Sequence, residues 1–302
     1  MRNLDSLNPL AVSVYFIAVA LMGMFSSNPI IIILFFVGAL LLYITSDYCK
    51  EKKVHIFAFI LILGCGLINP IFSHNGKTII FVFNNNLVTF EAFIYGLFMG
   101  LMIAAALYWF AIFSAIMTSD KVIYTVGRAS PKLALTLSLS LRFIPLFIKK
   151  SKEVNLSQKA MGLYKDDTII SKIKGLSHVF SIMVTYIIEK TIITADSMAA
   201  RGYGGEKRSS FSLFKFKLCD IIFIFVVIIL SALMIISMAA GALDYSFYPE
   251  LKMPGNDILS ILGYISYGVL CLSSTAIEGG EKLKWHFLKL KIYPSPIQTQ
   301  VK

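Results

Sequence analysis

The chain has 302 residues, 57% of them hydrophobic and 15% charged, with a mean hydropathy of +0.76. A soluble domain carries about 25% charged residues, so a soluble globular class is excluded and a polytopic membrane protein is implied. The net charge of +11 is no argument for nucleic acid, because in such a protein basic residues set topology and meet lipid headgroups.

Ser6–Ser46 carries no charged residue over 41 positions, twice the roughly 20 residues that cross ~30 Å of hydrocarbon. The turn Ser26-Ser27-Asn28-Pro29 divides it into two helices. Ala18-Val19-Ala20 has the form of a signal-peptidase site. The apolar run continues past it and Asp5 offsets Arg2, which predicts a retained first span. Uncharged runs over Val54–Gly76 and Ala92–Ser119 give two more spans, and Ile221–Leu243 and Ile258–Ile277 complete six. Between the third and fourth, TIIFVF followed by NNN predicts a short hairpin against the outer face. Gly96 and Gly100 form a G-x-x-x-G in the fourth span, which predicts close internal helix packing.

Segment 119–217 holds 17 of the 28 Lys/Arg residues and seven acidic ones. It also contains two apolar stretches, LALTLSLSLRFIPLFI (133–148) and LSHVFSIMVTYIIEKTIITA (176–195). The alternation of Leu133, Leu135, Leu137, Leu139 and Leu141 matches a strand. A strand edge at membrane depth leaves backbone groups unpaired, whereas a helix satisfies its own, so two long helices are predicted, about 131–165 and 169–201. Arg142 at the bilayer centre costs roughly 2.5–3.5 kcal/mol, which places it, with Pro145, at the cytoplasmic interface. The divisions expected are 1–118 (four spans), 119–217 (a cytoplasmic or interfacial module) and 218–302 (two spans and a basic tail). With the N-terminus inside, 26 of 28 Lys/Arg fall on the cytoplasmic side and only Lys77 and Lys252 outside, as positive-inside sorting requires.

The two long helices end alike. Ser157-Gln-Lys-Ala160-Met161-Gly162 and Ser197-Met-Ala-Ala200-Arg201-Gly202 share S-x-x-A-x-G, each glycine standing where a left-handed residue closes a helix. A cation at such an end is favoured by roughly 0.3–1 kcal/mol, so helix capping alone is one reading of Arg201. LSLSLRFIPLF, SQKAMG, ADSMAARGYGG and the later KRSSF together resemble the transmembrane T component of energy-coupling factor transporters, the family of the CbiQ and EcfT permease subunits. The resemblance covers most of the chain. It implies an all-α membrane scaffold of six spans with two long amphipathic coupling helices and no chemistry of its own. The implied partners are two ABC-type ATPases, where ATP binds, a substrate-binding S component and the lipid bilayer of the bacterial plasma membrane, with both termini cytoplasmic. The implied function is ATP-driven uptake of a vitamin or transition-metal ion. Ala200, Arg201 and Gly202 match the family's Ala-Arg-Gly, which docks in an ATPase groove. Ala160, Met161 and Gly162 match the first copy, with methionine in place of arginine, so that contact relies on Lys159 or Lys165, or on a more apolar groove.

Other signals point elsewhere. Asn75-Gly76-Lys77-Thr78 lacks the first glycine of a phosphate loop, since position 71 is Ile71, so no nucleotide site is expected. His55, His74, His178 and His286 are scattered, and Cys49, Cys65, Cys219 and Cys271 read as single thiols, so no metal or other cofactor is expected. A lipid-headgroup transferase needs clustered aspartates, whereas Asp196 stands alone and Asp166-Asp167 opens the second long helix. A self-sufficient secondary transporter predicts inverted repeats with broken helices at mid-membrane, and only the short S-x-x-A-x-G echo is present.

Overall fold

The computed structural model describes residues 4–46, 52–73, 76–83, 86–162, 169–203, 214, 216–249 and 255–292. Lys165, Asp166-Asp167, His74, Cys49 and the KRSSF stretch lie outside the described residues. Those described form two compact units, Met1–Val122 with Phe214–Lys302, and Ile123–Leu213. Among the described residues the fold is all-α apart from one small hairpin.

In the first unit a 3-10 turn over Leu4–Ser6 precedes α1 (Pro9–Phe25) and α2 (Pro29–Thr45). Both helices start in the same way. Asn8 and Asn28 accept from the amides of Leu10 and Ile30 at 3.1 Å, and a proline fills the first helical position, where a missing N–H costs nothing. α3 (Lys52–Phe72) runs to an antiparallel hairpin, β1 (Ile79–Phe83) and β2 (Asn86–Thr89), followed by α4 (Phe90–Ile116). The hairpin anticipated from the sequence is therefore present. Its base is held by the Glu91 carboxylate, which accepts from the Thr78 amide at 3.2 and 3.3 Å. A Cβ at Gly76 would lie 2.4 Å from that carboxylate, so a carboxylate fills the ground that a phosphate would need. The unit closes with α8 (Leu218–Ala239) and α9 (Ile258–Ile292).

Helices distant in sequence meet through polar atoms in an apolar interior. The Tyr15 hydroxyl donates to the Leu270 carbonyl at 3.0 Å and lies 2.9 Å from Ser274 Oγ. Tyr267 donates to the Val19 carbonyl at 3.2 Å, and Trp109 Nε1 to the Phe35 carbonyl at 3.2 Å. Asn28 Nδ2 reaches the Leu243 carbonyl at 3.2 Å and the Tyr264 hydroxyl at 2.9 Å. Around Trp109 the Phe35 ring stacks at 9° with centroids 6.2 Å apart, while Tyr15 and Phe16 meet it edge-on. α9 thus packs between α2 and α8, a placement the sequence left open. It also continues well past Ile277, because the charges from Glu278 onward end the apolar run but not the helix.

The G-x-x-x-G of α4 packs internally, as expected. A Cβ at Gly96 would lie 2.6 Å from the Cys65 carbonyl oxygen, and one at Gly100 would lie 2.8 Å from Ile62 Cα. Both obstacles belong to the backbone of α3. At the other end of α4, Lys121 is buried and pairs with Asp5 while donating to the Ile116 carbonyl at 3.1 Å.

The second unit contains most of α5 (Ser119–Ala129), α6 (Pro131–Ala160) and α7 (Ile169–Ala200). The leucine alternation folds as helix, and α6 stops at Ala160 rather than 165 because Gly162 closes it. α5 escaped the sequence reading, being short and set among charges. Asp120 in its first turn and Arg128 in its last agree with the helix dipole. Among the described residues, six helices are long and apolar enough to cross a membrane: α3, α4, α6, α7, α8 and α9. α1 and α2 are shorter apolar helices of 17 residues. The set differs from the six spans expected, since α6 and α7 qualify through their apolar stretches while α1 and α2 reach only ~26 Å.

Gly100→Ala will separate α3 from α4 and destabilise the protein by roughly 1–3 kcal/mol, read as a lower melting temperature in detergent. Gly64→Ala, whose Cβ meets nothing within 4 Å, will leave the melting temperature unchanged or slightly raised.

Candidate functional site

The two helix ends singled out by sequence share one hydrogen-bonding pattern. Ser157 Oγ donates back to the Glu153 carbonyl at 3.0 Å, and Ser197 Oγ to the Ile193 carbonyl at 2.8 Å. The next residue of the motif to bond is the one before the glycine, Met161 to the Ser157 carbonyl and Arg201 to the Ser197 carbonyl, at 3.0 and 3.3 Å. The glycine amides then close the ends, Gly162 on the Lys159 carbonyl at 3.0 Å and Gly202 on the Ala199 carbonyl at 2.9 Å. Both glycines are left-handed, with φ of 82° and 79°. At α7 the amide of Tyr203 also bonds the Met198 carbonyl at 3.0 Å, completing a Schellman closure.

That closure fixes what each end shows. At α7 the chain turns away at Gly202 and Tyr203, and at both ends the residue before the glycine is left exposed. Ala200, Arg201, Gly202 and Tyr203 are all exposed, and a Cβ on Gly202 would meet nothing within 4 Å. Among the described residues the Arg201 guanidinium has no ion-pair or hydrogen-bond partner. Ala160 and Met161 are likewise exposed. The two tips therefore match in backbone and differ in charge.

Along the shafts, Phe143 and Phe147 of α6 lie 5.5 Å apart, and Phe147 meets Tyr186 of α7 edge-on at 6.4 Å. Lys150 and Lys190 approach the same Tyr186 ring at 5.6 and 5.8 Å, so one aromatic ring meets two cations. Arg142 and Pro145 are exposed in the middle of α6, neither of them in this contact. Sequence reasoning missed a further feature. Leu133, Leu137, Leu141, Ile144 and Ile148 form an exposed stripe at helical spacing on α6, and Ile169, Ile173, Leu176, Phe180, Val184, Ile188 and Ile192 form another on α7. The first stripe was readable, but the leucine alternation masked its 3.6-residue period.

The fold and these ends define a multi-pass helical membrane protein whose second unit carries two long, glycine-closed helices. Residues 2–213 match the family model described as cobalt transport protein, CbiQ. The chain belongs to that family, and it is a membrane protein of a transport class. The matched residues include both helix ends and stop before α8. Over 101 residues the chain is 32% identical to the energy-coupling factor transporter transmembrane protein EcfT of Streptococcus equi, covering 33% of this chain and 38% of that one. It is 30% identical over 106 residues to EcfT 1 of Listeria monocytogenes, covering 34% and 40%, and 30% identical over 103 residues to EcfT of Bacillus selenitireducens, covering 33% and 38%. The chain thus spans about two fifths of the length of the curated relatives it matches.

Gly202→Ala will strain the α7 end by about 1–2 kcal/mol through backbone conformation alone, since no neighbour obstructs the new methyl. Amide exchange at residues 201–203 will rise accordingly, measured by hydrogen–deuterium exchange on the detergent-solubilised chain.

Proposed function

We propose that this chain is the T component of an energy-coupling factor importer, joining two cytoplasmic ABC-type ATPases to a substrate-binding S component in the membrane. The observation that carries the reading is the α7 tip: an exposed guanidinium without a partner among the described residues, flanked by Ala200 and Gly202. With almost no bulk beside it, the tip enters a narrow cleft, and the planar five-donor fork suits a carboxylate there. The α6 tip, Ala160-Met161-Gly162, engages a second ATPase through the same backbone shape with an apolar side chain. ATP is bound and hydrolysed in those partners, and this chain supplies no catalytic group.

The membrane set is α1, α2, α3, α4, α8 and α9, in the bacterial plasma membrane with both termini in the cytoplasm, because that arrangement puts 26 of 28 Lys/Arg on one side. α6 and α7 run at the cytoplasmic interface, their exposed stripes facing the S component or lipid. Arg142 meets headgroups or carbonyls there, and Pro145 interrupts the backbone ladder beside it. Helices of 30 and 32 residues reach ~45–48 Å, long enough to carry ATPase closure to the membrane by hinge or shear motion. The cargo, a vitamin or a transition-metal ion, is held by the S component.

Arg201→Glu will abolish co-purification of the ATPases from membranes while leaving the amount of inserted chain unchanged. If the groove facing the α6 tip is acidic, Met161→Arg will increase ATPase retention at low salt, with the gain shrinking as salt rises; an apolar groove will lose retention instead. Full ATPase recovery with Arg201→Glu refutes the docking role.

A further inference from the structure

The chain passes between its two units twice, after Val122 and before Phe214. On the first-unit side of each passage stands a charged residue with little exposure. Lys121, in the first turn of α5, is 8% exposed, and Asp220, in the first turn of α8, is 3% exposed. Charged residues are seldom buried unless paired, and both of these find partners on one short stretch, the 3-10 turn Leu4–Ser6 with Leu7 and Asn8 after it. The Lys121 ammonium pairs with the Asp5 carboxylate. It also donates to the Asp5 carbonyl at 3.3 Å and to the Ile116 carbonyl, at the end of α4, at 3.1 Å. One Asp220 oxygen accepts from the Asn8 amide at 3.3 Å and the other from the Lys217 amide at 2.9 Å. The stretch is itself fixed. The Leu7 amide closes the turn on the Leu4 carbonyl at 3.3 Å, Leu4 and Leu7 sit in the apolar core, and Asn8 Oδ1 caps α1.

We propose that the stretch from Leu4 to Asn8 is a strap that fastens both passages into one body, so that the base of α5 and the start of α8 move together. Helix electrostatics accounts for each charge singly. Asp220 is favoured at the N-terminus of α8, and the Lys121 ammonium at the C-terminal carbonyls of α4. Neither preference requires one turn to meet both. The bonds join residues 116 and 212 positions apart, segments that have no local reason to be neighbours. α5 runs through the unit boundary as one helix, Ser119–Ala129. Its first turn is locked to the end of α4 by the Val122 amide on the Thr118 carbonyl at 3.1 Å, so pinning Lys121 pins the root of the whole helix. The release point is Asp5, whose side chain is 50% exposed and leaves no void in the core when it is withdrawn. The strap lies wholly inside the first unit and rests neither on the helix tips nor on any ATPase.

The test is hydrogen–deuterium exchange of the full chain in detergent, comparing the wild type with Asp5→Ala. Exchange will rise by about two- to fivefold in both 118–126 and 216–222, the weight of one half-exposed ion pair, while 31–42 and 104–112 keep their wild-type protection. Asp120→Ala, which removes the exposed acid beside Lys121, will raise exchange in 118–126 alone, because it weakens α5 without touching the strap. Adding Lys121→Met to Asp5→Ala will produce no further rise at 216–222, since the link to α8 is already cut. A rise with Asp5→Ala that is confined to 118–126 overturns the strap and leaves a local pin. No rise in either segment overturns it, and so does an equal rise in all four, which would make Asp5 a determinant of overall stability.

Discussion

A donor or acceptor left unpaired in hydrocarbon costs several kcal/mol, because no water reaches it. In the first unit this constraint decides which helices become neighbours. Tyr15, Tyr267 and Asn28 each carry a polar tip that local backbone cannot satisfy, and each finds a partner more than 200 residues away. The N-terminal and C-terminal helices are therefore tied into one body by a few directed bonds, while the general apolar contact between them is no better than contact with lipid. Trp109 plays the same part between α4 and α2, donating to the Phe35 carbonyl from inside a cluster of rings.

Where polar ties are absent, close approach takes over. α3 exposes more of its surface than α2 or α4 and shares only one small face with the bundle, yet it is held against α4 along the Gly66, Gly96 and Gly100 seam. Dispersion between backbones is the driving force available there, since lipid tails match any leucine face.

Much of this was legible beforehand, for identifiable reasons. Charge-free runs gave the six apolar segments of the first unit, since a single lysine in a span is costly. The turn before Pro29 marked where α2 starts, while the matching Asn8-Pro9 start of α1 went unread, and the echo of S-x-x-A-x-G marked both long-helix ends. The long-range pairing of Tyr15 with the α9 backbone had no signal, because a tyrosine in an apolar run gives no clue to its partner. α5 was hidden by its charges, and the extent of α9 was misjudged because loss of apolarity was equated with loss of helix. At α6 the argument from unpaired strand edges overrode a perfect alternation, and backbone satisfaction proved the stronger principle.

The two helix tips separate what backbone and side chain contribute to recognition. Up to the glycine they share the same backbone bonds, and both glycines are left-handed, so over those residues the backbone shape is set before the preceding residue is chosen. Met161 and Arg201 then differ in one respect, a permanent charge with directed donors against a polarizable apolar chain. A hydrogen bond to a charged group contributes about 1.5–3 kcal/mol, on the order of ten- to a hundredfold in affinity. On the proposed reading two equal grooves would hold these tips unequally, and the weaker contact would release first in each cycle. Equal grip requires unequal grooves, with acidic residues facing Arg201 and apolar ones facing Met161. On that reading the asymmetry in this chain constrains the proposed ATPases: either the two differ at the docking cleft, or the stroke would reach the membrane chiefly through α7.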